Sequence, residues 1–376
     1  MFCVKMHEFA QQLTLESGFG KMKVMFAGAG TAGHVEPALA VANWLRHHYS
    51  DIDFQFLGTA GGVENILVPE ASFELLLIEK APFPRGLGRE MVFWPFKFRR
   101  TLVQTQKLLQ GTDVVVGFGG YVAAPAYLAA KRLGLPVIAH EANAKMGLAN
   151  LLAKWSGAQI LRAFGEGSQP EVGIPLRNTI IELAKLSLPE RQSLKREALR
   201  EMNLDPLTPT ILVFGGSLGS TKFNLVISQA RNDILQRGFQ IIHAVGNKNE
   251  LPAVQEGYFP VHYISNMAQA YAASDLVICR SGAVTVTETG VLGIYSLYVP
   301  LPIGNGEQMD NAQLVVKHAG GSVIPNDEFS PAWLTSHIVE LMKSALAWQK
   351  SGLRMDFPLN ASELIAQQIV RVSNDE

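Results

Sequence analysis

Several short segments of this sequence combine bare backbone with side chains that can hold an anion or move a proton. Gly28-Ala-Gly-Thr-Ala-Gly33 has its glycines in G-x-G-x-x-G spacing and runs directly into His34. Such glycines let the N–H groups of a helix start approach an anion or a sugar. An imidazole beside them can accept a proton from an attacking hydroxyl near neutral pH; the alternative is a histidine that hydrogen-bonds its own loop. Gly117-Phe-Gly-Gly-Tyr121 is a second bare loop or only a tight turn. In His140-Glu-Ala-Asn143, Glu141 is a second candidate base, and Asn143 is a partner for a sugar hydroxyl or a helix cap. Ser217, inside Gly215-Gly-Ser-Leu-Gly219, suits a phosphate together with the loop amides. In the run from Arg280 to Glu288, Ser281 or Thr285 begins a helix whose first amides can face a diphosphate. Glu288 can accept from both hydroxyls of a ribose, or is an acid near a helix start, stabilised by the dipole. Arg177, in Gly173-Ile-Pro-Leu-Arg177, can meet growing negative charge through bonds worth ~1.5–3 kcal/mol each, or is a surface cation in solvent.

The G-x-G-x-x-G match also fits a dinucleotide site, which needs an acid at the end of the second strand. That strand ends Phe56-Leu-Gly-Thr59, with Asp51 and Asp53 at its other end, so NAD is discounted. Between Lys80 and Lys107 the pattern changes. Lys80, Arg85, Arg89, Lys97, Arg99, Arg100 and Lys107 stand against one acid, Glu90, and are interleaved with Phe83, Leu87, Phe93, Trp94, Phe96 and Phe98. Cations beside aromatics suit an anionic lipid surface; the alternative is a core helix with a solvated basic face.

These residues need a frame, and the alternation of apolar runs with helical patterns supplies one. Val24–Ala27, Phe54–Leu57, Val114–Val116 and Val137–Ala139 read as buried strands in the first half. Ile211–Phe214, Ile241–Val245, Leu276–Ile278 and Ser296–Val299 read so in the second. Helical stretches between them indicate parallel sheets. A polar helix over 189–202 separates the halves, each of which opens with a strand, a glycine-rich loop and a helix. The expected fold is α/β, with two Rossmann-like domains facing across a cleft and the candidate residues at the carboxyl edges of the strands. The expected division is an extension over 1–21, a first domain over 22–177 rejoined by about 358–376, and a second domain over 178–357. The chain has 376 residues, 48% of them hydrophobic, which suffices for two cores. A net charge of −1 gives no sign of nucleic-acid binding, and two cysteines, Cys3 and Cys279, form no disulfide framework or cysteine-rich metal site. The first twenty residues do not read as a secretory signal, and no segment reads as a membrane span.

Taken together, these segments resemble the MurG family of glycosyltransferase family 28, enzymes that add N-acetylglucosamine to the lipid-linked muramoyl-pentapeptide precursor of peptidoglycan. The resemblance runs from about Met22 to the C-terminus. It rests on Gly30-Thr-Ala-Gly-His-Val-Glu-Pro-Ala-Leu39, the segments at 117–121, 140–143, 173–177, 215–217 and 280–288, Tyr263-Ile-Ser-Asn-Met267, and Gly304-Asn-Gly-Glu-Gln308. It implies a GT-B fold with an N-terminal acceptor domain, a C-terminal donor domain and a last helix that crosses back. It implies UDP-N-acetylglucosamine contacts at Thr31, Ala32, Gly33, Asn143, Arg177, Ser217, Ile264, Ala283, Val284, Thr285, Val286, Thr287, Glu288 and Gln308. Ile264 would meet uracil through its backbone, Glu288 the ribose, and Gln308 the sugar hydroxyls. Gly30, Gly119, Gly120 and Tyr121 would cradle the acceptor's diphosphate. Phe83, Phe93, Trp94, Phe96, Lys97, Phe98, Arg99 and Arg100 would touch the membrane. Ala32 stands where many members have glycine, and Glu307 where some have glutamine.

The implied reaction is an inverting transfer to the muramoyl C4 hydroxyl of lipid I, giving lipid II, with His34 or Glu141 as base and no cofactor or metal. The implied setting is the cytoplasmic face of the cell membrane, alongside other cell-wall synthesis and division proteins. Two rivals remain. A UDP-N-acetylglucosamine 2-epimerase shares the fold and donor but has no use for the basic-aromatic surface. A nucleotide-sugar binding protein would show no turnover.

Overall fold

The structure, a computed structural model, describes residues 21–82, 84, 89–164, 171–217, 219–302 and 306–374. The first half contains β1 (Met22–Gly28), α1 (Ala32–His48), β2 (Ile52–Thr59), α2 (Glu64–Glu70), β3 (Glu74–Ile78), α3 (Arg89–Leu108), β4 (Val114–Gly119), α4 (Ala123–Leu133), β5 (Val137–Glu141), α5 (Leu148–Trp155) and β6 (Gln159–Arg162). After α6 (Asn178–Lys185) and α7 (Leu188–Glu201) comes the second half. It holds β7 (Thr210–Phe214), α8 (Thr221–Gln236), β8 (Gln240–Ala244), β9 (Tyr258–Val261), α9 (Met267–Ala273), β10 (Leu276–Cys279), α10 (Ala283–Leu292), β11 (Ser296–Tyr298), α11 (Glu307–Ala319), β12 (Ser322–Val323) and α12 (Pro331–Ser351). The last helix is α13 (Ala361–Asn374).

The strands form two parallel six-stranded sheets, ordered β3-β2-β1-β4-β5-β6 and β12-β11-β10-β7-β8-β9. The second repeats the first, because β7 pairs with β8 on one side and β10 on the other, as β1 pairs with β2 and β4. Between β1 and β4, and between β7 and β10, the chain reverses the direction in which it adds strands. Loops leaving the carboxyl ends there diverge to opposite faces and open a crevice. The four glycine-bearing candidate segments that follow β1, β4, β7 and β10 leave from these two points.

Strand cores follow from sequence. β7 is buried along its whole length, as is β1 from Val24 onward, so both faces demand the β-branched and aromatic residues found there. The strands that the apolar runs do not reveal, β3, β6, β9 and β12, are the outermost strands of their sheets. Edge strands are short and half-solvated and tolerate proline, here Pro260 in β9, so their pattern is weak.

Packing joins the halves in two places. Ile365, Ala366 and Ile369 of α13 are fully buried in one cluster with Val24, Phe26, Val35 and Val116, so the last helix completes the first core. Ala163, Phe164, Ile174 and Leu176, expected in the first domain, pack in one cluster with Leu212, Phe214 and Tyr271 of the second half. Covalent order and core membership therefore change at different residues.

Ile369→Ala removes fully buried atoms from the first core and should lower stability by about 2–5 kcal/mol. Urea unfolding should register this, with hydrogen exchange accelerated at β1 and unchanged at β7. Equal acceleration in both strands would mean that α13 does not belong to the first core.

Candidate active site

The loops after β1 and β4 touch because neither has a side chain at the point of contact. Gly120 has φ +83°, and a Cβ there would sit 2.0 Å from the Ala29 carbonyl oxygen. Gly119 has φ +102°, and a Cβ there would lie 3.2 Å from His34 Nε2. His34 therefore lies flat against bare backbone. Its Nδ1 is 3.2 Å from the Ala29 carbonyl and 3.2 Å from Thr31 Oγ1. A carbonyl only accepts, so Nδ1 carries the proton and Nε2 presents a lone pair toward Gly119. Burial lowers the His34 pKa below the ordinary 6.5, opposed by the bond to Ala29 and by the charges of Glu141 and Glu64. The ring thus bonds its own loop and keeps a neutral acceptor nitrogen, uniting the two readings of this residue.

Glu141 lies at the end of β5, 2% exposed, with all its oxygen capacity in use. Oε1 accepts from the Asn143 N–H (2.9 Å) and Asn143 Nδ2 (3.1 Å). Oε2 accepts from the Gly147 N–H (2.8 Å) and Asn150 Nδ2 (3.0 Å). Four donors make it the anchor of the loop over 142–147 and leave no lone pair for a reacting hydroxyl. Asn143 is thereby turned by Glu141 and caps no helix.

Glu64, which sequence reading passed over, plays the same part for the first loop. It is fully buried at the start of α2 and accepts from the Gly30 N–H at 2.9 Å, the Thr59 N–H at 3.0 Å and Thr59 Oγ1 at 3.2 Å. A Cβ on Gly62 would fall 2.1 Å from its Oε2. The Gly30 amide, expected beside a diphosphate, donates to this carboxylate in the structure. The clue was the pair Gly61-Gly62 just before an acid. Tyr121 lies over Gly30, with the Lys80 ammonium 4.4 Å above its ring.

In the second half, Gly216 (φ +99°) and Gly219 (φ +76°) bend the loop that carries Ser217. Ser220 ends this loop and caps α8, accepting from the Phe223 N–H. The buried Arg280 guanidinium donates to Ser220 Oγ at 3.2 Å, Asn326 Oδ1 at 2.8 Å and the Val299 carbonyl at 2.9 Å, bracing the loop from beneath. α10 starts at Ala283 with Gly282 as its cap, which corrects the expected start at Ser281 or Thr285. Ser281 is buried, and its hydroxyl instead donates to the Gln308 carbonyl at 2.8 Å. The first intrahelical bond goes from the Val286 N–H to the Gly282 carbonyl, so the amides of Ala283, Val284 and Thr285 have no intrahelical acceptor. Val286 and Thr287 face the core. Gln308 Oε1 accepts from the Leu301 N–H at 3.0 Å, which leaves its amide nitrogen for another partner. Ile264 is half-buried beside the second core.

Arg177 is no solvated surface residue. Its guanidinium lies 2.6 Å from Glu288 Oε1 and 3.7 Å from Oε1 of Glu36, an acid of α1 that sequence reading left out of the site. The other Glu288 oxygen accepts from the buried Tyr271 hydroxyl at 3.0 Å. Burial alone would lower the Arg177 pKa, but Glu288 and Glu36 hold it above its usual value. Burial raises the Glu36 pKa against the pull of Arg177. Arg177 and Glu288 thus pair beside the second core, and Glu36 of the first half reaches the same cation across the crevice.

The basic-aromatic stretch divides. Phe83 lies outside the described residues. Phe93 (65% exposed) and Phe96 (72%) point outward with Val92, and Lys97, Arg99 and Arg100 are exposed beside them. Trp94 and Phe98 are half-buried instead, stacked with their ring centres 4.9 Å apart, and Trp94 Nε1 donates to the Ala81 carbonyl. α5, which is linked to α3 through α4, adds Leu148 (82% exposed), Leu151 and Trp155, the last with the Lys131 ammonium 4.3 Å over its ring. A run of eight residues gave no sign that its apolar side lacks a partner. Among the described residues no helix is long and apolar enough to cross a membrane.

Comparison with known proteins agrees with this geometry. Residues 24–161 match the glycosyltransferase family 28 N-terminal domain and residues 210–368 the glycosyltransferase family 28 C-terminal domain. A Streptomyces coelicolor protein named UDP-N-acetylglucosamine--N-acetylmuramyl-(pentapeptide) pyrophosphoryl-undecaprenol N-acetylglucosamine transferase is 46% identical over 331 residues, 85% of this chain and 89% of that protein. A Corynebacterium glutamicum protein of the same name is 43% identical over 361 residues, 94% of this chain and 99% of its own length. Among solved structures, Acinetobacter baumannii MurG superposes with TM-score 0.66 at 26% identity, covering 93% of this chain and 99% of that one. The Neisseria meningitidis UDP-GlcNAc 2-epimerase bound to UDP-GlcNAc shares the fold, with TM-score 0.57 at 15% identity, covering 93% of this chain and all of that one.

Burial lowers the pKa of His34 and His140, and that of His243 to about 4. The unfolded chain therefore takes up protons that the folded chain refuses below pH 6.5. Stability should fall as pH drops from 6.5 toward 4. NMR titration of the histidine rings should place these three below 6.5, and urea unfolding across that window should show the loss. A His34 ring titrating at or above 6.5 would contradict its placement.

Proposed function

The chain belongs to glycosyltransferase family 28, and on that basis we propose that it moves N-acetylglucosamine from UDP-N-acetylglucosamine to the muramoyl C4 hydroxyl of undecaprenyl-diphospho-muramoyl-pentapeptide. The observation that carries this reading is the confrontation across the crevice. A neutral His34 with Nε2 unoccupied stands on one side, and the Arg177–Glu288 pair with the open amides of α10 on the other.

In this mechanism His34 Nε2 takes the proton of the C4 hydroxyl as its oxygen attacks the anomeric carbon from the face opposite UDP. The bond to the diphosphate oxygen breaks, UDP leaves with the electron pair, and an α-linked donor gives a β-linked product. Glu141 is the scaffold of the neighbouring loop, because its four bonds leave it unable to reach a hydroxyl, and the base is therefore His34. Charge on departing UDP is met by the amides of Ala283 to Thr285 and the loop of Ser217, already in place, and by Arg177 once it has turned from Glu288. Glu288 has both oxygens engaged by Arg177 and Tyr271. Binding of the nucleotide is thus an exchange, in which Arg177 turns to the diphosphate while Glu288 turns to the ribose. Gly119, Gly120 and Tyr121 remain the cradle for the acceptor's diphosphate, and Thr31, Ala32 and Gly33 border the sugar. Asn143 and the amide nitrogen of Gln308 contact the sugar hydroxyls.

The outward faces of α3 and α5 hold the enzyme on the cytoplasmic face of an anionic membrane as a peripheral protein. Phe93, Phe96, Leu148 and Trp155 enter the interface, and Lys97, Arg99, Arg100 and Lys131 meet headgroups. An epimerase would have no use for this surface.

Incubation with UDP-N-acetylglucosamine and a short-chain lipid I analogue, followed by mass analysis, should give the added N-acetylhexosamine and free UDP. UDP released without acceptor, or no UDP released, would refute the reading. His34→Ala should lower kcat by about 10²–10⁴-fold, and wild-type turnover would remove His34 as base. Phe93→Ser with Phe96→Ser should weaken partition onto anionic vesicles by about a hundredfold or more. Unchanged vesicle binding would move the membrane surface elsewhere.

A further inference from the structure

The halves meet at a second point, made by a residue outside the set that the resemblance singled out. Asn311, one turn into α11, is fully buried. Its Oδ1 accepts from the Ala144 N–H at 3.0 Å. Its Nδ2 donates to Asn143 Oδ1 at 3.2 Å and to the Ser281 carbonyl at 3.3 Å. The amide orientations are fixed at both ends, because an N–H only donates and a carbonyl only accepts. Asn143 must then accept through Oδ1, which directs its own Nδ2 to the Glu141 carboxylate. One chain of bonds runs from the acceptor-side scaffold, Glu141, through Asn143 and Asn311 to Ser281. Ser281 immediately precedes Gly282, the cap of α10, so the chain ends at the helix start that faces the diphosphate.

We propose that Asn311 is a positioning residue that latches the donor half onto the loop over 142–147, closing the crevice and aiming Asn143 in a single event. This rests on the transferase reading only in its consequence for rate. The physical argument stands without it. A buried amide is satisfied by three partners, two of them in the other half, so its bonding is complete only when the halves are closed. Opening trades both crossing bonds for water and frees the Asn143 amide to rotate. Arg177 ties the halves by charge and must release Glu288 when nucleotide enters. Asn311 touches none of the groups assigned to the nucleotide except Asn143, so it can hold the halves together while that exchange occurs.

Two variants test this. Asn311→Asp is nearly isosteric and keeps the acceptor for Ala144, but it sets oxygen against oxygen at Asn143 and Ser281. Asn311→Ala removes the amide without adding charge. In a Cys3→Ser background, spin labels at Lys154→Cys and Lys317→Cys, both exposed positions on α5 and α11, report the distance between halves without any ligand. The expected result is a longer and broader distribution in both variants, with unfolding midpoints close to that of the parent chain. With UDP-N-acetylglucosamine and a lipid I analogue, kcat should fall about tenfold while KM for the acceptor changes little. An unchanged distance distribution in both variants would overturn the latch. If distances lengthen while the parent chain itself shows no turnover, the latch stands and the transferase reading falls. A loss of thermal stability with the distances unchanged would reduce Asn311 to a packing role.

Discussion

Arg177 is a cation mostly withdrawn from water, and such a charge costs several kcal/mol unless it is closely paired. Its partners come from both halves of the molecule, Glu288 from α10 and Glu36 from α1. Tyr271 then occupies the remaining Glu288 oxygen, and burial together with Glu288 holds the Tyr271 hydroxyl well above its usual pKa, so that it stays a donor. The pair is thus satisfied without ligand, and in the proposed mechanism a diphosphate and a ribose arriving together replace what each partner gives up. Removing either partner would leave a buried charge alone, which is the costlier outcome.

Around that pair, both sheets use one device. At each reversal of strand order the chain leaves with glycines, which let Gly120 close on the Ala29 carbonyl in the first half and Gly219 on the Val245 carbonyl, beyond β8, in the second. The acids placed there face inward. Glu64 fixes the loop after β1, and Glu141 the loop after β5. Their oxygens are spent on amides, which stiffens the loops and leaves His34 as the group with an unoccupied acceptor. Its Nδ1 is spent on its own loop, which fixes the ring and leaves Nε2 as a lone acceptor, and burial lowers its pKa and favours the neutral form.

The outer face of the first half obeys a different constraint. α3 and α5 turn large apolar side chains into solvent beside lysines and arginines. Yet Trp94 and Phe98, in the same run as Phe93 and Phe96, are half-buried and stack on each other. The division follows the helical period, since residues one turn apart share a face.

The sequence by itself determined the α/β class, the repeat of strand, glycine loop and helix, and the central strands, whose two buried faces require continuous apolar runs. It singled out His34, Glu141, Asn143, Arg177 and Glu288 as candidates, while residue type and spacing left a purely structural use open for each. It did not determine the edge strands β3, β6, β9 and β12, whose half-solvated faces erase the pattern, nor the start of α10 at Ala283, where the cap is a glycine with no side chain to announce it. Only the tertiary structure showed that Glu64 and Glu141 both brace loops while His34 keeps Nε2 without a partner. Glu141 looked free in sequence and proved fully bonded, and Glu64, Glu36 and Asn311 looked unremarkable and proved central. The physical reason is that a polar group's role is set by which of its lone pairs and protons remain unused. Those partners lie up to 168 residues away in the chain, where no local spacing can reveal them.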